Sequence, residues 1–127
     1  MSTRALTVVY NNYDEPLVVI YCHSDGYPNG HGVDLAKILK DRAIVNGIEI
    51  PEQENASNGM GCLAATIVAK LKKGIGGIYL HADIEEDYGQ EYEYYIWQDH
   101  VRVLIGGTGE MIFEGTWNEF YDFCMER

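Results

Sequence analysis

The chain contains 127 residues, of which 46% are hydrophobic and 12% aromatic, and it has no low-complexity tract. This length and composition predict one folded domain over residues 1–127, with a hydrophobic core of its own. No apolar run approaches the roughly 18 residues of a membrane span, and the N-terminus lacks the features of a signal peptide. We therefore expect a cytoplasmic protein that does not bind a membrane.

The negative charge is concentrated in the second half of the chain. Residues 1–73 carry eight acidic and seven basic side chains, whereas residues 74–127 carry twelve acidic and two basic ones, so the net charges of −1 and −10 sum to −11. Such a surface repels phosphate backbones, which disfavours direct nucleic-acid binding. Solubility alone would explain the charge. A sharper interpretation is that the acidic half binds a basic partner protein.

The cysteines and histidines show no spacing typical of a metal site or a disulfide framework. Cys22, Cys62 and Cys124 are odd in number, far apart and without C-x-x-C spacing. They are predicted to be small buried thiols. The four histidines are scattered along the chain, and no motif indicates a metal ion or a cofactor, so neither is predicted.

The N-terminal part predicts a β-hairpin followed by a helix. Residues 7–10 and 17–21 are β-branched and aromatic runs, which favour strands, and turn-forming residues lie between them. The two strands are therefore expected to pair antiparallel. After a glycine-rich turn, apolar residues at helical spacing predict a first helix over residues 33–44, with Asn46 and Gly47 as its stop.

The rest of the chain predicts two more helices and a set of short strands. Residues 48–57 are polar and predict a surface loop, after which Ser57 or Asn58 caps a second helix over residues 60–73. A last helix is predicted to begin at Gly115 or Thr116. The strands between these helices are predicted at residues 76–81, 91–97, 101–105 and 110–114.

This order of elements predicts an α+β fold. Short connections between the later strands favour an antiparallel meander. The expected architecture is an antiparallel sheet, made of the N-terminal hairpin and the C-terminal meander. Two central helices and a C-terminal helix are expected to pack on one face of this sheet.

The glycine-rich turn before the first helix is the first candidate site. Gly, Pro, Asn and Asp are ordinary turn residues, so a simple chain reversal is one interpretation. The other is a pocket for a polar ligand, because glycines allow close approach and a helix start offers free N–H groups. His23 with Asp25 would also suit a catalytic pair. The candidate ligand-binding residues here are His23, Asp25, Gly26, Tyr27, Gly30, His31 and Gly32.

A second glycine-rich stretch precedes the second helix. Residues 59–64 match G-x-G-x-x-A, but no buried strand precedes them, so a dinucleotide-binding fold is disfavoured. A glycine-flanked helix start still suits an anion, and it could face the first turn across a pocket. The alternative is close packing of the helix against the sheet. Asn58, Gly59 and Gly61 are therefore added to the candidate ligand-binding residues.

Acidic and aromatic residues are prominent after the third predicted strand. Residues 83–89 are acidic, but they depart from the EF-hand pattern because Tyr94 falls at its twelfth place, so a solvated loop is predicted. Alternation along the next strand places Tyr95 and Trp97 on the face opposite to Tyr94. Such aromatics suit either the core or a partner interface, and an exposed aromatic sheet would also suit a homodimer.

Two blocks of this sequence resemble a group of small phage and bacterial proteins. One block, residues 21–35, contains their histidine-(tryptophan)-aspartate-glycine-tyrosine-proline turn, although Ser24 stands where the group has tryptophan. The other combines the Asn-Gly-Met-Gly-Cys-Leu-Ala helix start at residues 58–64 with residues 76–79. The resemblance implies an accessory protein, often of phage or prophage origin, that acts in the host cytoplasm. Such proteins commonly sequester a nucleotide signal or block a host protein.

These observations leave three functional hypotheses. The first is a non-enzymatic protein that binds a small anionic or nucleotide-like ligand between the two glycine-rich helix starts. The second is an inhibitor that binds a host protein through the acidic, tyrosine-rich C-terminal half. The third is a small hydrolase that uses His23 and Asp25. The first is favoured narrowly over the second, and the enzyme is third because no complete catalytic constellation is visible.

Overall fold

A computed structural model describes residues 2–45, 55–84 and 88–127. The described helices are α1 (Val33–Leu39), α2 (Gly59–Leu71) and α3 (Trp117–Met125), and an irregular helical turn, Pro28–Gly32, leads into α1. The described strands are β1 (Ala5–Tyr10), β2 (Pro16–Cys22), β3 (Ala43–Val45), β4 (Ala56–Asn58), β5 (Ile78–His81), β6 (Tyr92–Ile96), β7 (Val101–Ile105) and β8 (Met111–Gly115). None of the helices in the described part of the chain is long and apolar enough to span a membrane.

The main sheet has six strands in the order β5-β2-β1-β6-β7-β8. It is mostly antiparallel, and it contains the predicted N-terminal hairpin, β1–β2, and the predicted C-terminal meander, β6–β7–β8. The exception is the pair β1–β6, which is parallel. These pairings confirm the α+β prediction, and all three helices pack on the sheet, as predicted.

The central strand β1 is buried along its whole length because both of its faces are covered. Ala5 and Val9 belong to the main core, which the three helices complete. On the opposite face, Leu6 and Val8 form a second, smaller cluster with Val19. Ile84 and Tyr88, which lie between β5 and β6 in the chain, pack on this cluster on the side of the sheet without helices.

The region after α1 differs from the prediction. The helix ends at Leu39 and not at residue 44, and residues 43–45 form β3, which pairs parallel with β4. The cause is a tertiary contact: the Asn118 side chain accepts a hydrogen bond from the Asp41 backbone N–H at 2.9 Å. Asp41 has a φ of 58°, which ends a right-handed helix.

The predicted loop over residues 48–57 is also partly wrong, because its last two residues belong to β4, Ala56–Asn58. The predicted helix stop at Asn46 and Gly47, like most of that loop, lies outside the described residues. Asn58 occupies the N-cap position of α2, as predicted, although its side chain makes no capping hydrogen bond. The sequence did not predict β4 because the polar side chains of this stretch are typical of a loop.

The start of α3 provides a stability test. Thr116 is the N-cap: its Oγ1 accepts a hydrogen bond from the Glu119 N–H at 3.1 Å, and Glu119 Oε1 accepts one from the Thr116 N–H at 2.8 Å. We expect Thr116→Ala to lower the free energy of unfolding by about 1 kcal/mol, because one helix-start N–H loses its acceptor. Urea denaturation measures this loss. Thr116→Ser keeps the acceptor, and a loss as large as that of Thr116→Ala would contradict the role of the cap.

Candidate functional site

The glycine-rich turn is packed tightly against the protein itself. The Gly26 N–H donates to the Thr3 carbonyl at 2.9 Å, and a Cβ on Gly26 would lie 2.7 Å from the Ala5 Cβ. A Cβ on Gly32 would lie 2.9 Å from the Cys124 Sγ. Another group therefore approaches each glycine closely, and that group belongs to β1 at Gly26 and to α3 at Gly32.

His31 lies inside this packing and is almost completely buried. Its Nε2 hydrogen-bonds the Thr7 hydroxyl at 2.8 Å, and its ring meets the edge of Tyr94 at 5.5 Å. Burial lowers the pKa of His31 to about 4. The Tyr94 hydroxyl donates to the Gly26 carbonyl at 2.7 Å, and burial raises the pKa of this tyrosine. His31 thus anchors the turn from within.

His23, Asp25 and Tyr27 lie on the exposed side of the turn. His23 Nδ1 is 3.3 Å from the Tyr21 hydroxyl, and Asp25 Oδ1 accepts from the Tyr27 hydroxyl at 3.3 Å. A catalytic pair would require a hydrogen bond between His23 and Asp25, whereas each of them contacts a tyrosine. Gly30 lies against Asp25, since a Cβ on it would be 2.5 Å from the Asp25 carbonyl oxygen.

The second glycine-rich stretch, residues 58–61, lies near the beginning of β2. Gly61 lines a shallow cleft with Leu17 and Val18, whereas His23 follows the other end of that strand. A strand of this length separates its ends by roughly 20 Å, so His23 and Gly61 do not share a pocket. The helix-start side of the turn is nearer, because His31 hydrogen-bonds Thr7, which is two residues along β1 from the partner of Val18.

The helix-free face of the sheet carries a row of three stacked rings, which we call the tryptophan ladder: Tyr10, Trp97 and His100. Trp97 stacks on Tyr10 with ring centroids 4.5 Å apart, and on His100 with centroids 4.6 Å apart. The Arg102 guanidinium lies 5.1 Å from the centre of the Trp97 ring. Trp97 Nε1 donates to Asp14 Oδ1 at 2.6 Å, which fixes the indole against the β1–β2 turn.

A groove of about 720 Å³ runs beside the tryptophan ladder, between the turn after β1 and the turn after β6. Its walls include Asn11, Asp14 and Asp99. Asp99 Oδ1 is 2.6 Å from His100 Nδ1, and this hydrogen bond lowers the pKa of the Asp99 carboxyl. Arg102 is paired with Glu114 on β8, so carboxylates outnumber the cation here. The groove is therefore both aromatic and acidic.

A second aromatic cluster, which we call the tyrosine cage, lies at the opposite edge of the same face, where β2 pairs with β5. Its rings line a shallow cavity of about 350 Å³ that is open to solvent. Tyr21 is central, and its ring centroid lies 5.8 to 6.1 Å from those of its four neighbours. The residues of the cage are Tyr21, His23, Tyr79, His81 and Tyr88.

Of the residues in these two clusters, the sequence singled out only His23 as a ligand-binding residue. Strand alternation correctly placed Trp97 and Tyr95 on the face opposite to the buried Tyr94. Alternation does not reveal that Tyr10 and His100 lie beside Trp97, because this neighbourhood depends on the strand order β1-β6-β7. The signal that was missed is an aromatic residue at or next to one end of β1, β6 and β7, namely Tyr10, Trp97 and His100.

The sequence also made predictions about the three cysteines, about metal binding and about the acidic loop. Cys22 and Cys124 are buried, as predicted, but the prediction is wrong for Cys62, which is exposed because it lies on the outer face of α2. Within residues 2–45, 55–84 and 88–127, no three His, Cys, Asp or Glu side chains come together in a way that could hold a metal ion. Residues 85–87 of the acidic loop lie outside the described residues.

The chain was also compared with known proteins. No protein family matches it, and neither curated proteins nor solved structures contain a match.

Proposed function

We propose that this protein is a non-catalytic binding protein that holds a basic partner protein on the helix-free face of its sheet. The observation that carries the proposal is the tryptophan ladder, where Trp97 is held by Asp14 beside an acidic groove. Trp, Tyr and Arg are the residues that contribute most often to binding energy in protein interfaces. All three types meet here on adjacent strands, as Tyr10, Trp97 and Arg102.

The charge supports a basic partner. The chain carries a net charge of −11, and Asp14, Asp99 and Glu114 lie around the groove. Complementary charge accelerates association and selects the partner, whereas a second copy of the same acidic face would be repelled. The aromatic rings would supply apolar contact area, and the carboxylates would fix the position of the partner's basic side chains. The proposal changes the second hypothesis drawn from the sequence, which used the C-terminal half alone, because Tyr10 and Asp14 belong to the N-terminal half.

The resemblance to phage and prophage proteins favours a host protein as the partner, and inhibition of that protein in the host cytoplasm as the role. The small-ligand hypothesis has less support, because the groups that approach Gly26 and Gly32 belong to the protein itself, at Ala5 and Cys124. The hydrolase hypothesis also has less support, because His23 and Asp25 each contact a tyrosine. Both stay predictions.

The proposal predicts that Trp97→Ala abolishes capture of the partner. Wild-type protein, Trp97→Ala and a control, Tyr121→Ala, would each be immobilised and exposed to a bacterial lysate. Tyr121 is a half-buried aromatic residue on α3, on the other side of the sheet. A basic protein should be retained by the wild type and by Tyr121→Ala but not by Trp97→Ala. Its retention should weaken as salt rises from about 0.05 M to about 0.5 M, where charges are strongly screened.

Circular dichroism would establish that all three proteins are folded. Equal retention by wild type and Trp97→Ala would contradict the proposal, and so would a captured protein that is acidic. Native mass spectrometry of the purified protein tests the main alternative. A stoichiometric nucleotide or other small anion, lost in Gly61→Ala or His23→Ala, would favour the small-ligand hypothesis instead.

A further inference from the structure

We infer that the tyrosine cage binds a trimethylammonium group. This site goes beyond the proposed function, because the cage shares no residue with the tryptophan ladder or its groove. Its cavity of about 350 Å³ is lined by three tyrosines and two histidines. The faces of aromatic rings are electron-rich and attract cations, and a cluster of such faces is a typical receptor for quaternary ammonium ions.

The angles between the rings suit this role. The Tyr21 ring is tilted by 42° to Tyr79, by 49° to Tyr88 and by 80° to His81. His81 and Tyr88 partly cover one another, with ring centroids 4.1 Å apart at 32°, whereas the tilt between Tyr21 and Tyr79 leaves part of their faces uncovered. The tryptophan ladder is the contrasting case, because its rings are parallel to within 6° and cover one another. The cage therefore exposes ring face at Tyr21 and Tyr79, whereas Trp97 in the ladder is stacked on two other rings.

The surroundings favour a positive charge in the cavity. Glu93 lies on the same face as Tyr21, since the two residues flank Leu6 on neighbouring strands. The Glu93 carboxylate accepts hydrogen bonds from the Gln90 amide at 3.0 Å and from the Tyr95 hydroxyl at 3.0 Å, which hold it on this face. One ring of the cage already lies near an ammonium, because Lys72 Nζ is 5.7 Å from the centre of the Tyr79 ring. Lys72 does not line the cavity itself, and it donates to the carbonyls of Gly76 and Ile78.

The residues that line the cavity favour a trimethylated ammonium over a primary one. The described residues that line the cavity are all aromatic, and none of them is a carboxylate. A primary ammonium donates three N–H groups and hydrogen-bonds more strongly to water than to ring faces, so it gains little from leaving water for these rings. A trimethylammonium group has no N–H to satisfy, and its charge is spread over methyl groups that pack on rings. The cage therefore fits the trimethylated form best.

The test is a titration by NMR at about pH 8, where imidazoles are ordinarily neutral. The probes are tetramethylammonium, choline and the neutral isostere of choline, in which carbon replaces the nitrogen. We expect the two cations to shift the signals of the cage tyrosines and the isostere to bind about tenfold more weakly. Equal binding of choline and its isostere would overturn the inference, because the site would then be merely apolar. Absence of binding by both cations and by the peptide described below would also overturn it.

Matched variants locate the site. Tyr79 is 49% exposed, so its replacement should leave the fold intact. Tyr79→Phe keeps a ring face and should bind like the wild type, whereas Tyr79→Leu should bind about tenfold more weakly. Lys72→Met removes a neighbouring positive charge and should strengthen binding. If Tyr79→Leu binds the cations like the wild type, the cage is not the site.

Two further arms identify the source of the group and separate this inference from the proposed function. A peptide with one trimethyl-lysine is compared with choline and with the unmethylated peptide. Tighter binding of the methylated peptide than of both indicates a protein side chain, and tighter binding of choline indicates a free molecule. Trp97→Ala should bind the probes like the wild type, so loss of partner capture in that variant leaves the cage inference standing. A cage without affinity for any probe would leave the proposed function standing.

Discussion

Replacing Gly26 by alanine is expected to lower the free energy of unfolding by about 2–3 kcal/mol, since an added methyl group has no room in this packing. Its Cβ would lie 2.7 Å from the Ala5 Cβ and 2.9 Å from the Thr3 carbonyl oxygen. The turn cannot move away without losing two hydrogen bonds. One joins the Gly26 N–H to Thr3, and the other joins the Tyr94 hydroxyl to the Gly26 carbonyl. Urea denaturation with a fluorescence readout measures the loss.

Gly61→Ala is the matched control, because the sequence proposed both glycines as ligand-binding residues. A Cβ on Gly61 would meet no heavy atom within 4 Å, and the residue lies in α2. Alanine favours a helix over glycine by up to about 1 kcal/mol, so this variant should be as stable as the wild type or more stable. A Gly26→Ala protein with wild-type stability would contradict the packing described for the turn.

The second large effect is a loss of stability in mild acid that depends on His31. The pKa of this histidine is about 4 in the folded protein and about 6.5 in an unfolded chain. Between these values the unfolded state binds more protons than the folded state, so the free energy of unfolding decreases as pH falls. The slope approaches about 1.4 kcal/mol per pH unit, and the whole effect amounts to about 3 kcal/mol.

The contribution of His31 is isolated by comparing variants from about pH 7 to about pH 5, above most carboxylate titrations. His31→Gln should be less stable than the wild type at neutral pH because the contact with Thr7 is disturbed, but its stability should depend less on pH. His23→Gln is the matched control, because it removes an exposed imidazole from the same turn. Identical slopes in wild type and His31→Gln would contradict the buried, uncharged state of His31.

Local patterns predicted the elements of this fold well where each element depends on its own residues. The hairpin β1–β2 follows from two β-branched runs, and α3 begins at the predicted cap, Thr116. The end of α1 was predicted wrongly because it depends on Asn118, which is 77 residues from Asp41 in the chain. The parallel pairing of β1 with β6 also joins distant segments, which no local pattern encodes.

The candidate site, too, was predictable only where it depends on neighbouring residues in the chain. Glycines at positions 26 and 32 correctly indicated a close approach, but a sequence does not say whether the approaching group is a ligand or the protein's own backbone. In the structure, Ala5 and Cys124 occupy that space. The face of Trp97 was predictable from alternation, whereas its neighbours Tyr10 and His100 follow from strand order. The sequence thus predicted which side of a strand faces out, but not which rings meet there.

The two tryptophans give the most direct test of binding on the helix-free face. Trp97 lies in the tryptophan ladder on that face, whereas Trp117, the first residue of α3, is buried in the main core, and its Nε1 donates to the Trp97 backbone carbonyl at 2.8 Å. Each indole N–H gives a separate signal in an ¹⁵N NMR spectrum, and the captured basic protein would be added stepwise. The proposed function predicts that the Trp97 indole signal shifts or broadens more than the Trp117 signal, which reports the contact only through the Trp97 carbonyl. A change confined to Trp117, or an unchanged Trp97 signal at saturation, would contradict it.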